Sequence, residues 1–210
     1  MVNGHFISFE GPDGAGKTTI LEAMVEHYRT RLADRLTVTR EPGGNPISEA
    51  IRAIILDKNN TEMDARTEAL LYAAARRQHL TETILPALAR GQVVFCDRYV
   101  DSSIAYQGAG REIGPEAVYQ MNLFATEGCL PEKTIYLDVS AEVGLKRIMT
   151  HRTDDVDRLD LEQLDFHERV RDAYLALAKR YPERIVVIDA SQSIGDVKKA
   201  VINVLDQILK

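Results

Sequence analysis

Short runs of β-branched and apolar residues recur at 5–10, 36–40, 92–97, 134–139 and 185–189, each parted from the next by a segment of helix length. Between them apolar positions repeat at helical spacing: Ile20, Leu21, Met24, Val25, Tyr28 and Leu32, then Phe166, Val170, Tyr174, Leu177 and Tyr181, then Ile194, Val197, Val201, Leu205 and Ile208. Strands alternating with amphipathic helices predict an α/β fold, a five-stranded parallel sheet with helices on both faces. The helical stripes read as core, since burial is the usual use of that periodicity. Three stretches, 41–46, 108–115 and 151–160, are too polar or too rich in glycine for regular structure. In a doubly wound sheet ligands bind beyond the carboxyl ends of the strands, where the distinctive residues of this chain fall.

Composition adds bounds. At 210 residues, without repeat or linker, the chain is expected to form a single domain over 1–210. Its 45% hydrophobic and 28% charged residues are ordinary for a globular protein, and no run approaches the ~18 apolar residues of a membrane span. The N-terminal residues lack the basic and apolar regions of a signal peptide, so a cytoplasmic location is expected. Cys96 and Cys129 form no CxxC pair, and no histidines cluster at metal-ligand spacing, which suggests neither zinc nor a disulfide framework. A net charge of −6 argues against a nucleic-acid partner bound through a broad basic face. Any phosphate site must therefore be basic only locally.

One motif has that character. Gly11, Pro12, Asp13, Gly14, Ala15, Gly16, Lys17 and Thr18 satisfy G-x-x-x-x-G-K-[ST], directly after a predicted strand and before a helix read from Thr19. The glycines let the backbone curl around a phosphate with its N–H groups inward, where a Cβ would collide. Lys17 supplies a point charge to the β/γ oxygens of ATP, Thr18 a hydroxyl to Mg²⁺, and the helix N-terminus a partial positive charge. A chance match in a glycine-containing turn would lack this flanking pattern. The loop is of P-loop NTPase type, common to GTPase switches, transporter ATPases and small-molecule kinases.

Asp97-Arg98-Tyr99 follows the apolar strand Val93-Val94-Phe95-Cys96, so an acid and a base emerge together at a strand end. Asp97 suits water-mediated contact with Mg²⁺, and Arg98 can span donor and acceptor phosphates. The plainer reading is an exposed ion pair. A regulatory GTPase needs Asn-Lys-x-Asp and a transporter ATPase Leu-Ser-Gly-Gly-Gln, and the sequence contains neither. Gln192, in the run Asp-Ala-Ser-Gln at 189–192, suits contact with adenine.

The strand-terminal Asp-Arg-Tyr with Asp101-Ser102-Ser103-Ile104-Ala105-Tyr106-Gln107-Gly108 resembles the thymidylate kinase family. Thr39-Arg40-Glu41-Pro42-Gly43-Gly44, Tyr72-Ala73-Ala74-Ala75-Arg76-Arg77 and Phe166-His167-Glu168-Arg169-Val170 extend the likeness over essentially the whole chain. The resemblance implies transfer of the γ-phosphoryl group of ATP to dTMP, in dTTP biosynthesis. By similarity Tyr72 stacks on the thymine, Arg76 donates to a ring carbonyl, and Ser103 and Gln107 complete the hydrogen bonds, with Glu41 and Ser102 on the same acceptor side. Asp13 accepts from the 3′-hydroxyl, Arg40, Arg52 and Arg98 hold the monophosphate, and Tyr106 walls off a ribose 2′-hydroxyl. A lid at about 150–160 is implied, with Arg147, Arg152 and Arg158 around it. Members of this family place a catalytic arginine in the phosphate loop or in the lid, and since the variable loop positions here contain none, the resemblance implies that the lid supplies it, Arg152 first and Arg158 second. The resemblance also implies a homodimer through helices within 67–90 and 115–127. Another nucleoside monophosphate, or a deoxynucleoside, is the alternative acceptor.

Overall fold

The structure, a computed structural model, describes residues 4–151, 159 and 162–209. Strands β1 (His5–Glu10), β2 (Leu36–Arg40), β3 (Val93–Asp97), β4 (Lys133–Asp138) and β5 (Ile185–Asp189) form one parallel sheet in the order β2-β3-β1-β4-β5. β1, β2 and β5 have the ranges expected from the sequence, while β3 starts one residue later and β4 lies one residue toward the N-terminus. The register sets Phe9 of β1 beside Asp97 of β3, so the phosphate loop and the Asp-Arg pair leave the sheet together.

Helices fill the intervals: α1 (Lys17–Leu32), α2 (Pro46–Leu56), α3 (Ala65–His79), α4 (Leu85–Ala89), α5 (Val100–Ser103), α6 (Pro115–Thr126), α7 (Ala141–His151), α8 (Leu164–Arg180) and α9 (Ile194–Ile208). Local chemistry starts several of them. Asn45 caps α2 by accepting from the Ser48 N–H, with Pro46 at the first helical position. Asp64 accepts from the Arg66 and Thr67 N–H groups, and Ser193 from Asp196.

The core lies in two layers, because successive side chains of a strand face opposite ways. Ile7 and Phe9 of β1 with Val93 and Phe95 of β3 pack against α1 and α9, Phe9 meeting Phe95 edge-to-face at 5.3 Å. Phe6, Val94, Cys96 and Tyr136 face the other way, toward α8 and the chain around Tyr99. Each such large side chain, taken fully out of water, contributes about 1.5–3 kcal/mol. The same alternation turns Glu10 toward the α8 layer, although it is an acid.

Two segments depart from the sequence reading. The helix expected across 67–90 is broken by a wider π turn at Leu80–Ile84. Residues 108–110, read as too glycine-rich for regular structure, belong to a π-helical turn, Ile104–Gly110. Those glycines serve close packing: a Cβ on Gly108 would lie 2.9 Å from the Pro115 Cα, and one on Gly110 would lie 2.6 Å from the Phe166 ring. The implied lid lies largely outside the described residues, and Arg152 and Arg158 are among those not described.

Candidate functional site

A cleft of about 980 Å³ opens at the carboxyl edge of the sheet. After β1 the chain curls through Gly14 at φ 75 and Gly16 at φ 84, dihedrals that glycine adopts without strain, and enters α1 at Lys17. Lys17, 8% exposed, donates through Nζ to the Gly11 and Pro12 carbonyls at 3.0 Å each. Burial first, and the nearby Arg98 charge second, lower its pKa to about 8. A Cβ on Gly14 would stand 2.1 Å from the Gly144 carbonyl oxygen, and one on Gly144 would stand 2.5 Å from the Asp13 oxygen, so the loop touches α7 backbone to backbone. From α7, Arg147 donates to the Gly14 carbonyl at 3.3 Å and the Ala190 carbonyl at 3.2 Å. That clasp joins the loop to the turn before α9, where Gln192 donates to Asp189 at 2.7 Å.

Arg98 occupies the middle of the cleft. Its own backbone is left-handed, φ 67, and its N–H donates to the Phe9 carbonyl at 2.9 Å. The guanidinium donates to the Gly11 carbonyl and to Ser102 Oγ, each at 3.1 Å, and to Asp13 Oδ1 at 2.5 Å, while lying 4.9 Å over the Tyr106 ring. Tyr106 donates to the other Asp13 oxygen at 2.6 Å. Beside it Asp97 Oδ1 is buried and, among the described residues, has no hydrogen-bond partner. An orphaned carboxylate oxygen invites a cation, and the Thr18 hydroxyl borders the same cleft, so the donor set fits Mg²⁺, which keeps water and phosphate oxygens in most of its coordination positions.

Beyond Arg98 the wall is made of side chains from several elements. Arg76, 2% exposed, donates through Nε to Glu41 Oε2 at 2.6 Å, through Nη1 to Ser103 Oγ at 2.9 Å and to Asn122 Oδ1, and through Nη2 to the Tyr99 carbonyl at 3.0 Å. The other Glu41 oxygen accepts from His79 Nδ1 at 2.9 Å, and His79 Nε2 meets the Thr39 hydroxyl at 2.6 Å. A buried guanidinium is thus neutralised by a buried carboxylate, and both of that carboxylate's oxygens are engaged. Gln107 donates to buried Glu68 at 2.8 Å. Arg40 and Arg52 each donate to the Pro42 carbonyl at 3.0 Å, Arg40 also pairing with Glu49, and Tyr72 stands half-buried at the rim.

Of the residues singled out in the sequence and described by the structure, all but Gly11 and Pro12 border this one cleft. Those two lie behind the loop and accept from Lys17. Five positions that hold the site were missed: His79, Asn122, Glu68, Tyr174 and Glu10. Glu10 is fully buried, and its pKa is pushed up to about 7, first by burial and next by the Asp101 charge, against the pull of Arg98. Its signal was available, since an acid at the parity of Phe6 and Ser8 must face a covered layer.

A family model described as thymidylate kinase matches residues 9–201. Thymidylate kinase of Pediococcus pentosaceus is 83% identical, over 99% of this chain and all of the relative. That of Levilactobacillus brevis is 66% identical over 91% of this chain and 90% of its own. Among solved structures, a crystal structure of thymidylate kinase from Ehrlichia chaffeensis superposes with a TM-score of 0.79 at 32% identity, covering 97% of this chain and 99% of the other.

Proposed function

The chain belongs to the thymidylate kinase family, and we infer from its cleft how it moves the γ-phosphoryl group of ATP onto dTMP to give dTDP and ADP. One observation carries the mechanism: Arg98 touches the phosphate loop at Gly11 and Asp13 and the far wall of the cleft at Tyr106, so a single cation stands between the two nucleotides. Phosphoryl transfer demands little covalent work from the protein and much neutralisation of charge, so fixed cations at the junction are what the reaction needs. ATP lies with its phosphates in the 11–18 loop, Lys17 on the β/γ oxygens, and its adenine toward Arg147 and Gln192. Lys17 is buried with Asp13 at 3.9 Å and with the Asp97 and Glu10 charges also acting on it, and a phosphate oxygen can take over the donors it now gives to the Gly11 and Pro12 carbonyls.

On the acceptor side the thymine rests against Tyr72. Among the described residues Arg76 has four of its five N–H donors committed, leaving one for a ring carbonyl, with Ser103 and Gln107 lining the same cleft. Asp13 takes the 3′-hydroxyl, and Arg40, Arg52 and Arg98 take the monophosphate. Thr18 and Asp97 would hold Mg²⁺, which when bound would neutralise charge on the phosphates. Arg152, with Arg158 as second choice, brings the lid charge to the phosphoryl in flight. A homodimer through α3 and α6 belongs to the same proposal, supported by Leu70 at 59% and Phe124 at 88% exposure on those helices. So does a cytoplasmic location.

The test is an ADP-release assay with Mg-ATP against a panel of nucleosides and monophosphates. Preference for dTMP supports the acceptor assignment, whereas equal rates on dCMP or on free thymidine defeat it. Light scattering decides the dimer, with a monomer mass removing it.

A further inference from the structure

Glu10 lies outside the cleft lining, yet every polar contact it makes leads to Arg98. Its Oε1 accepts the Tyr99 N–H at 2.7 Å, and the Arg98 N–H immediately before is taken by the Phe9 carbonyl. The last two residues of β1 therefore grip both amides on either side of the Arg98 α-carbon, which stands in the left-handed region that residues with a Cβ rarely adopt. Oε2 accepts from Ser102 Oγ at 2.5 Å and from the Tyr174 hydroxyl at 2.8 Å. Those are the hydroxyls to which Arg98 Nη1 itself donates, at 3.1 and 3.5 Å.

The proton accounting gives this arrangement a direction. A hydroxyl carries one proton, and an ionised carboxylate only accepts. Ser102 Oγ and the Tyr174 hydroxyl also lie 2.8 Å apart, so their two protons are taken up by Glu10 and by that contact, and lone pairs are left for the guanidinium. We propose that Glu10 is the positioning residue of Arg98: it fixes the backbone turn that presents the arginine and polarises the two hydroxyls that aim its guanidinium into the junction. This rests on the reading that Arg98 acts on the transferred phosphoryl or the acceptor phosphate. Burial first and the Asp101 charge second raise the pKa of Glu10, so the ionised form that this accounting uses depends on the opposing pull of Arg98 and on the two hydroxyls that donate to it.

Glu10→Gln is the informative variant because it keeps the shape. Its carbonyl can still take the Tyr99 N–H, but its amide then faces Ser102 and Tyr174 as a donor. Both hydroxyls then accept from it, and since only one of their two protons can fill the 2.8 Å contact between them, the other is turned toward Arg98, a cation that can only donate. Steady-state phosphorylation of dTMP by Mg-ATP should show kcat reduced on the order of 10²-fold, the scale of a misplaced catalytic group. The ATP dissociation constant should remain that of the wild type. Tyr174→Phe, which removes one of the two hydroxyls, should show a smaller loss. Arg98→Ala and the double variant with Glu10→Gln separate the possibilities. Once Arg98 is absent, Glu10→Gln should lower kcat no further. An equal loss in both backgrounds, or an unchanged kcat in the single variant, overturns the role of Glu10. An Arg98→Ala enzyme with wild-type kcat and dTMP KM instead overturns the reading of Arg98 on which it rests.

Discussion

The two halves of the cleft are built from different materials. The donor half is one contiguous loop, whose contacts with its lysine are backbone carbonyls and whose shape comes from Gly14 and Gly16. The acceptor half is made of side chains from the end of β2, from α3, from the turn after β3 and from α6, held by the buried Glu41 pair with Arg76 and His79. A backbone cradle recognises what every nucleoside triphosphate shares and is indifferent to the base. A lattice of buried, mutually committed side chains can instead reject a wrong ring, because an unpaired polar group there costs the full desolvation penalty. Selectivity therefore belongs to the half with the more demanding electrostatics.

That contrast can be broken in stages. Lys17→Ala removes the one side-chain cation of the donor loop, and turnover of dTMP should fall by about 10³-fold or more. Sustained phosphorylation would mean that the loop is not the donor site. Arg152→Ala should lower kcat by about 10³-fold, as for other transition-state arginines, with ATP binding intact in an equilibrium titration. Near wild-type turnover would pass the role to Arg158 or abolish it.

Glu41→Gln strikes only the acceptor half. It leaves Arg76 buried beside a neutral amide, so stability measured by urea unfolding should drop by about 3 kcal/mol. KM for dTMP should rise roughly tenfold, the effect of about 1.4 kcal/mol of lost binding, with KM for ATP unchanged. Parallel changes in both KM values would erase the distinction between the halves.

The smallest effects are those of pH, and they run in opposite senses. Lys17 has a folded pKa near 8 against 10.5, so the unfolded chain binds more protons between those values and stability rises with pH across that window. Glu10 has a folded pKa near 7 against 4.5, so the native state binds the extra proton and stability falls as pH climbs from 4.5 to 7. Each amounts to at most about 3 kcal/mol. Unfolding free energies of Lys17→Met and Glu10→Gln, each subtracted from wild type across pH, isolate the two groups. Slopes of equal sign would refute the account of their burial.

The sheet was legible because β-branched runs and helical stripes are local patterns, and the donor loop because its residues are consecutive. The acceptor half was reached only through resemblance, since no spacing along the chain announces that Glu41, Arg76 and Asn122 meet. Asn122 stands between Met121 and Leu123 in a helix that carries other polar residues such as Glu116 and Gln120, and His79 reads as an ordinary helix residue at the C-terminal end of α3. The π turns at 80–84 and 104–110 escaped for another reason: they use the same residue types as α-helix, and only packing against Pro115 and Phe166 explains the glycines in the second. Glu10 was overlooked because a strand-end acid before a glycine loop looks like the start of a turn.

Gly14 and Gly144 form a joint with no side chain on either partner. A methyl group at either place would wedge the phosphate loop away from α7 and carry Arg147 with it, so neither can be altered while the other stays put. Any attempt to refashion the triphosphate grip of this scaffold, for a different donor or for tighter binding, therefore has to redesign helix and loop as a single piece.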